Sequence, residues 1–342
     1  MDMIKGVFKR SLYLGYYIKG LDRKKFFHFL NYAASETGKS KLYLLADMLR
    51  SVYVYNISIL EYFQFRFYKQ GKEERGEWAG TGYMYEYQLV MNPRKEREIL
   101  DDKRLFFKEY RDFIRHEVAS LDELRKNPAL VDMLLSNPSG KLVLKVHDGK
   151  CGKQVLVKDL EEFKQEGLVD FMEREGYDMA EEFIRQHPVI QELSSAAVNT
   201  VRIFTQLDQD DDVKILGCRL RISIHMPVDN LAAGNIAAFI DPETGIISGP
   251  AVYSDIDRPA ETLHPVSGIE ISGFRIPFWK ETLEMVNKAA KLHPQNRSIG
   301  WDIAITPEGP DLIEGNHDWC KLLYQLPAGH GLKHTLEKHL AS

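Results

Sequence analysis

The segment GWDIAITPEGPDLIEGN at 300–316 constrains this chain more than any other stretch. WDIAI and DLIEGN are short runs of alternating apolar and polar residues. TPEGP between them carries the Pro and Gly of a turn, so the segment reads as a β-hairpin. With Ile305 paired to Asp311, the same register sets Asp302 across from Glu314. Asn316 follows two residues later on the same face, because strand side chains alternate. Two carboxylates and an amide oxygen make a hard-oxygen set suited to Mg²⁺, which keeps few protein ligands and shares its shell with phosphates. A slip of one residue would part Asp302 from the other two. On spacing alone, a surface hairpin with solvated acids is the competing reading.

A chain of 342 residues can bury a large core and hold two or three subdomains. Its hydrophobic fraction of 44% and charged fraction of 28% are those of a soluble globular protein. A net charge of −5 excludes broad nucleic-acid binding as the main task. Cys151, Cys218 and Cys320 stand far apart with no CxxC spacing, which points to a reducing compartment without a disulfide framework or zinc site. The N-terminus shows no long apolar run and no cleavage signature, so the expectation is a cytoplasmic protein without a transmembrane span.

Residues 1–30 carry seven Lys/Arg against Asp2 and Asp22, interleaved with Tyr13, Tyr16, Tyr17, Phe26, Phe27 and Phe29. A basic, aromatic amphipathic segment of this kind can lie on an anionic membrane surface, which would place the protein at the inner membrane face. It can equally be a helical layer whose aromatics pack on the body while its lysines face water.

Up to about residue 90 the pattern is helical, with GKEERGEWAGTGY at 71–83 as a loop, and a second helical stretch spans 93–127. From 140 the character changes: KLVLKV, a polar glycine loop and QVLV read as strand–loop–strand. Asp159 and Glu162 form a capping box opening a helix at 159–167. Strands are expected at 178–184, 198–207, 213–224, 235–240 and 245–248, with a helix at 280–292 before the hairpin. The acidic run 208–212 is expected to be a solvated turn between two apolar strands.

Lys145 ends an apolar strand and is followed by VHDGKCGKQ, where Gly149 and Gly152 let backbone amides approach an anion. Such a hairpin could cover a triphosphate or be an ordinary turn. Glu181–Ile184 follow a strand whose edge can offer backbone groups to an adenine. Arg202, Arg219 and Arg221 lie on apolar strands, and an inward arginine needs an anionic partner because it cannot shed its charge. Arg219 and Arg221 share a face by alternation, so both are candidates for one anion, with surface salt bridging as the alternative. No nucleophile motif of the GxSxG type is present, which argues against a covalent serine or cysteine mechanism.

The order of these signals resembles the ATP-grasp superfamily, and within it the sugar-transfer-associated branch of polysaccharide biosynthesis. A DK pair at 102–103 precedes the strand lysine and glycine loop. A Glu-Glu-Phe-Ile linker, arginine-bearing strands and an Asp strand paired with a Glu-x-Asn strand follow. NTVRI at 199–203, VDNLAAGNI at 228–236, HPVSG at 264–268 and SIGWDIAITPEGPDLIEGN at 298–316 carry the closer match, over roughly 90–330. The resemblance implies an α+β fold of two subdomains gripping ATP, at 91–195 and 196–342, behind an N-terminal helical region at 1–90. It implies that Lys103 and Lys145 contact ATP phosphates, that Gly149 and Gly152 close over them, and that Glu181 and Ile184 hold the adenine. Asp302, Glu314 and Asn316 would bind Mg²⁺, and Arg202, Arg219 and Arg221 would face the moving phosphoryl group. Two departures stand out: Gln186, His187 and Pro188 replace the acid that many members use for the ribose, and aromatic helices replace the usual N-terminal α/β domain.

The function so implied is an ATP- and Mg²⁺-dependent carboxylate–amine ligase working through an acyl phosphate. Its substrates would be a small carboxylate and an amine or sugar-linked acceptor, with no nucleic-acid partner. A kinase on the same fold and a non-enzymatic membrane-surface interaction protein are the alternatives.

Overall fold

The computed structural model describes residues 2–147, 155–164 and 166–340, with side chains from residue 8 onward. Gly149 and Gly152 lie outside the described residues.

Six helices come first: α1 (Asp2–Lys19), α2 (Arg23–Thr37), α3 (Lys41–Tyr55), α4 (Ile59–Gln64), α5 (Lys72–Gly76) and α6 (Thr81–Met91). Their aromatic residues form their own core, in which Phe29, Tyr62, Phe63, Phe65, Phe67 and Trp78 are buried and Phe65 stacks on Trp78 with ring centroids 4.4 Å apart. Asp22 and Ser40 cap α2 and α3 by accepting from the backbone N–H of Lys25 and Tyr43. The 71–83 segment, expected as a loop, contains the single turn α5 and the start of α6, because Glu74 caps Gly71 N–H and winds the charged run. Among the described residues no helix is long and apolar enough to cross a membrane.

The helix α1 has two unlike faces. Tyr13, Leu14 and Tyr17 turn inward on the aromatic core. Phe8, Leu12 and Tyr16, spaced i, i+4, i+8, line the opposite face and are 66%, 61% and 74% exposed.

Two short helices, α7 (Glu98–Asp101) and α8 (Lys103–Glu109), lead to strand β1 (Val118–Ser120). The expected helical stretch 93–127 is therefore broken: β1 lies inside it, before α9 (Leu121–Lys126) and α10 (Pro128–Leu135). Strands β2 (Lys141–Lys145) and β3 (Val155–Asp159), helix α11 (Leu168–Glu175) and strand β4 (Met179–Glu182) complete an antiparallel sheet in the order β1-β4-β2-β3. The Asp159–Glu162 capping box is present, but it opens a 3₁₀ turn at 160–163 rather than an α-helix. One face of this sheet presents Ala119, Leu142, Leu144 and Ala180 to Leu124, Leu134, Phe163, Leu168 and Met172. By alternation the other face carries Val118, Val143, Lys145, Met179 and Glu181.

After α12 (Pro188–Leu193) come β5 (Thr200–Leu207), β6 (Val213–Ile222) and β7 (Ile236–Ile240). Helix α13 (Trp279–Leu292) precedes the hairpin β8 (Ser298–Thr306) and β9 (Gly309–Asn316), and α14 (Lys321–Gln325) and α15 (Lys333–Leu340) close the chain. These strands form a second antiparallel sheet in the order β7-β6-β5-β8-β9. Val201, Ile203, Leu220, Ile222, Ile303 and Ile305 pack with Val286, Ala289 and Ala290 of α13, and Val118 and Met179 of the first sheet join this core. The run 208–212 is the turn between β5 and β6. The strand expected at 245–248 is replaced by isolated bridges at Ile246 and Ile247, where Gly245, at φ +70°, turns the chain.

Buried charge ties the helical region to the second sheet's C-terminal helices. Glu61 accepts from Ser58 N (2.7 Å), Thr81 N (2.9 Å) and Thr81 Oγ1 (2.6 Å), and pairs with Lys321 at 3.2 Å.

Candidate functional site

Strand pairing sets Asp302 opposite Arg202 on one side and Glu314 on the other. Arg202 grips Asp302 with Nε on Oδ1 (2.5 Å) and a terminal nitrogen on Oδ2 (2.6 Å), while Arg221 donates to Oδ2 at 2.9 Å. Arg221 reaches back to Asp229 at 2.6 Å, and Asp229 accepts from Thr200 N at 2.8 Å and from its hydroxyl. Asp229 is not singled out by the sequence, where Asn230, Gly234 and Asn235 mark this loop either as one presenting backbone amides to phosphate or substrate or as a plain connection.

Asp302 and Glu314 are in hydrogen-bond contact. Burial opposes ionisation of Asp302, but the charges of Arg202 and Arg221 outweigh it and hold that carboxyl well below the usual range. Burial raises Glu314, and the neighbouring Asp302 charge raises it further. The two acids are thus pushed in opposite directions, Asp302 down by its arginines and Glu314 up by burial and its neighbour. Asn316 donates its amide nitrogen to Glu314 Oε1 (3.1 Å) and Gly300 O (3.4 Å), which leaves its oxygen for a cation.

This donor set fits Mg²⁺. An ionised carboxylate has about four lone-pair sites. Three on Asp302 are taken by arginine donors, so a cation would draw its oxygens from the site left on Asp302, from Glu314 and from the Asn316 amide.

The register reaches this pairing by a route the sequence did not show. Asp311 pairs with Ala304, not Ile305, and Ile313 is the extra residue of a β-bulge that brings Glu314 back opposite Asp302.

Arg219 departs from the expected convergence. It shares a face with Arg221 but is fully buried, donating Nε to the Tyr324 carbonyl at 3.1 Å and a terminal nitrogen to the Cys218 carbonyl at 2.7 Å. Its guanidinium lies over the Phe239 ring at 4.7 Å, and burial lowers its pKa to about 10. It holds α14 on the sheet and does not face Asp302. The physical reason is that its donors are taken up by the Tyr324 and Cys218 carbonyls, while Asp302 is already held by Arg202 and Arg221.

On the first sheet, Lys145 is ion-paired with the buried Glu181. Lys103 is the first residue of α8, its Nζ 3.4 Å from the His147 carbonyl. Ile184 follows β4 half-buried. The two clusters are joined by a pair the sequence reading missed: His116 Nδ1 contacts Asp311 Oδ2 at 2.8 Å, and its Nε2 lies 3.9 Å from Glu181. Asp311, opposite Ala304, shares the face of Asp302 two residues away.

A family model for sugar-transfer-associated ATP-grasp proteins matches residues 83–340. The chain belongs to this family. Membership accords with two antiparallel α+β sheets carrying the lysine on one and the acid hairpin on the other.

Solved structures similar to this ATP-grasp chain include the ATP-grasp ligase PsnB with its minimal precursor (14% identity, 73% of this chain and 62% of that one, TM-score 0.40). Biotin carboxylase from Campylobacter jejuni (13%, 73% and 48%, TM-score 0.45) and D-alanyl-alanine synthetase A from Vibrio cholerae (11%, 71% and 66%, TM-score 0.40) are others. The match spans less than two thirds of each of these chains, and such scores support no residue-level transfer. No curated protein matches the sequence.

Proposed function

We propose that this protein is an ATP- and Mg²⁺-dependent carboxylate–amine ligase. The observation that carries the reading is the Asp302–Glu314 pair across β8 and β9, flanked by Arg202 and Arg221, on a strand face that also carries Asp311 with His116 lying between it and the Lys145–Glu181 pair. Asp302, Glu314 and Asn316 would hold the metal, which when bound supplies neutralising charge to the phosphates. Lys145 and Lys103 would bind the triphosphate, with Gly149 and Gly152 in the loop above it and Glu181 and Ile184 at the adenine.

In the proposed reaction a substrate carboxylate oxygen attacks the γ-phosphorus and the β–γ bridging P–O bond breaks, giving an acyl phosphate and ADP. An amine then attacks the acyl carbon, phosphate leaves, and the amine nitrogen loses a proton. Arg221, steadied by Asp229, and Arg202 would screen the moving phosphoryl charge, since such transfer depends on positioning and electrostatics. The acceptor is proposed to be an amine or sugar-linked precursor, and the setting cytoplasmic.

The exposed Phe8–Leu12–Tyr16 face of α1, close to exposed Lys19, Arg23 and Lys24, favours peripheral contact with the inner membrane surface.

The experiment is hydroxylamine trapping with MgATP and a pool of amino acids and sugar acids. A ligase yields a hydroxamate and ADP, and Glu314→Ala abolishes both with the fold intact. A stable phosphoester instead of a hydroxamate would mark a kinase, and unchanged turnover in Glu314→Ala would overturn the metal assignment.

A further inference from the structure

His116 lies between the two clusters, and its surroundings are incomplete. Asp311 Oδ1 accepts from Arg115 N at 2.8 Å, and its Oδ2 lies 3.2 Å from His116 N and 2.8 Å from Nδ1. An ionised carboxylate only accepts, so Nδ1 carries a hydrogen toward Asp311. Nε2 is buried without a hydrogen-bond partner, and so is Glu181 Oε1. The 3.9 Å between Nε2 and Glu181 Oε2 is too long for a hydrogen bond. Two buried polar atoms of neighbouring side chains thus lack a partner, while Oε2, the Glu181 oxygen near the ring, is held by Lys145; native interiors rarely tolerate such orphans without a reason.

Other charged groups near the ring are turned elsewhere. Glu117 pairs with Arg111 at 3.2 Å, Arg115 Nε donates to the Pro310 carbonyl at 2.9 Å, and Phe107 covers the ring edge-on with centroids 6.0 Å apart. Glu181 is now compensated by Lys145. On the nucleotide reading proposed above, on which this inference rests, Lys145 must leave Glu181 for a phosphate. A buried carboxylate abandoned by its cation is strongly unfavourable.

We infer that His116 is a positioning residue for nucleotide binding: as Lys145 turns to the phosphate, Nε2 takes a proton from solvent and donates it in a new hydrogen bond to Glu181. A shift of about 1 Å brings the ring from its present distance to hydrogen-bonding range. Asp311 holds the other nitrogen, so the imidazolium bridges two carboxylates and Glu181 keeps its place at the base. Nucleotide binding then takes up one proton, and affinity rises as pH falls, by up to about tenfold per pH unit where the coupling is complete.

The test is calorimetric titration of the full-length protein with ADP, in EDTA so that the metal cluster does not contribute. Running it near pH 7 in buffers of different ionisation enthalpy counts the protons exchanged. The wild type is expected to take up about one proton more than His116→Gln. Glu181→Gln, which leaves the His116–Asp311 pair untouched, is expected to lose the same proton. Lys145→Met is expected to lose it too, because Glu181 there lacks its cation before nucleotide arrives. An equal proton count in wild type and both glutamine variants, with ADP still bound, overturns this inference alone. No ADP binding by the wild type overturns the nucleotide reading of the cleft and this inference with it.

Discussion

Asp302 faces Glu314 because β9 carries one residue more than β8 at that point, Ile313. A bulge bends and twists its strand, and bulges are common beside functional sites because they re-aim a side chain. Here the result is two carboxyls in contact, with Glu314 raised by burial and by its neighbour. A carboxyl raised in the fold contributes stability that is full below its unfolded value and lost as pH rises through the folded one. Glu314→Gln removes that loss. Without divalent ions the variant is therefore expected to gain thermal stability over wild type progressively from pH 4.5 to pH 8, by about 2 °C per kcal/mol at this chain size. Added Mg²⁺ should raise the wild-type melting temperature and leave the variant's nearly unchanged. A difference between the two proteins that stays constant across that pH range would refute the raised Glu314 carboxyl.

Arg219 and Arg221 stand two residues apart on one face and are expected to fail differently. Arg221→Met breaks the bridge between Asp229 and Asp302, so it should cost about 3 kcal/mol of stability and also lower the turnover of each folded molecule on the order of a hundredfold. Arg219→Met leaves the Tyr324 and Cys218 carbonyls without their donor and should cost about 3 kcal/mol of stability. The folded fraction of that variant should keep its turnover. Denaturant melts combined with activity per folded molecule separate the cases, and a stable but inactive Arg219→Met would return Arg219 to the phosphoryl site.

What the sequence revealed and what it hid have physical causes. The five strands of the second sheet are apolar runs with turn residues between them, so their positions were legible, as were the Asp302–Glu314 pairing and the inward arginines. The strand β1 is three residues long inside a charged stretch, too short for any periodicity to register. Arg219 is satisfied by a backbone carbonyl about a hundred residues away, and carbonyls leave no mark in a sequence. Asp311 could have been found: once paired with Ala304 it belongs to the face of Asp302, but the bulge that sets this pairing has no residue signature.

Residues 1–82 lie outside the family match, yet Glu61 is buried among three hydrogen-bond donors and Lys321. Burial raises the Glu61 carboxyl, but Lys321 and those donors outweigh it and hold the group lowered. Its stabilisation is present above the unfolded value and is lost as pH falls through the folded one. Lys321→Met strands this carboxylate and should cost about 3 kcal/mol at pH 7, with a smaller penalty for Lys321→Met combined with Glu61→Leu. A fragment beginning at residue 83 should fail to fold, because it leaves Lys321 without Glu61 and exposes Ile256, Leu322 and Leu326, which pack on the helical core. A cooperative melt from that fragment would show the helical region to be an appendage.

The outer face of α1 leads to a prediction at a lipid surface. Helix faces that expose three large apolar residues in line are normally covered, and here Phe8, Leu12 and Tyr16 are all mostly exposed. The first thirty residues carry seven basic side chains against two acidic ones in a chain of net charge −5, so the local field attracts anionic lipid while the rest of the protein repels it. Vesicles of phosphatidylglycerol and phosphatidylcholine should sediment the wild type, and vesicles of phosphatidylcholine alone should not. Binding should weaken at 0.5 M salt, where screening shortens the reach of surface charge. The triple variant Phe8→Ser, Leu12→Ser, Tyr16→Ser should lose sedimentation while keeping turnover in solution, since none of these residues approaches the acid hairpin or the lysine cluster. Equal binding of the triple variant and wild type would mean that charge alone carries the contact. A wild-type dimer in solution that the triple variant dissociates, with no vesicle binding, would assign this face to a second copy of the chain instead.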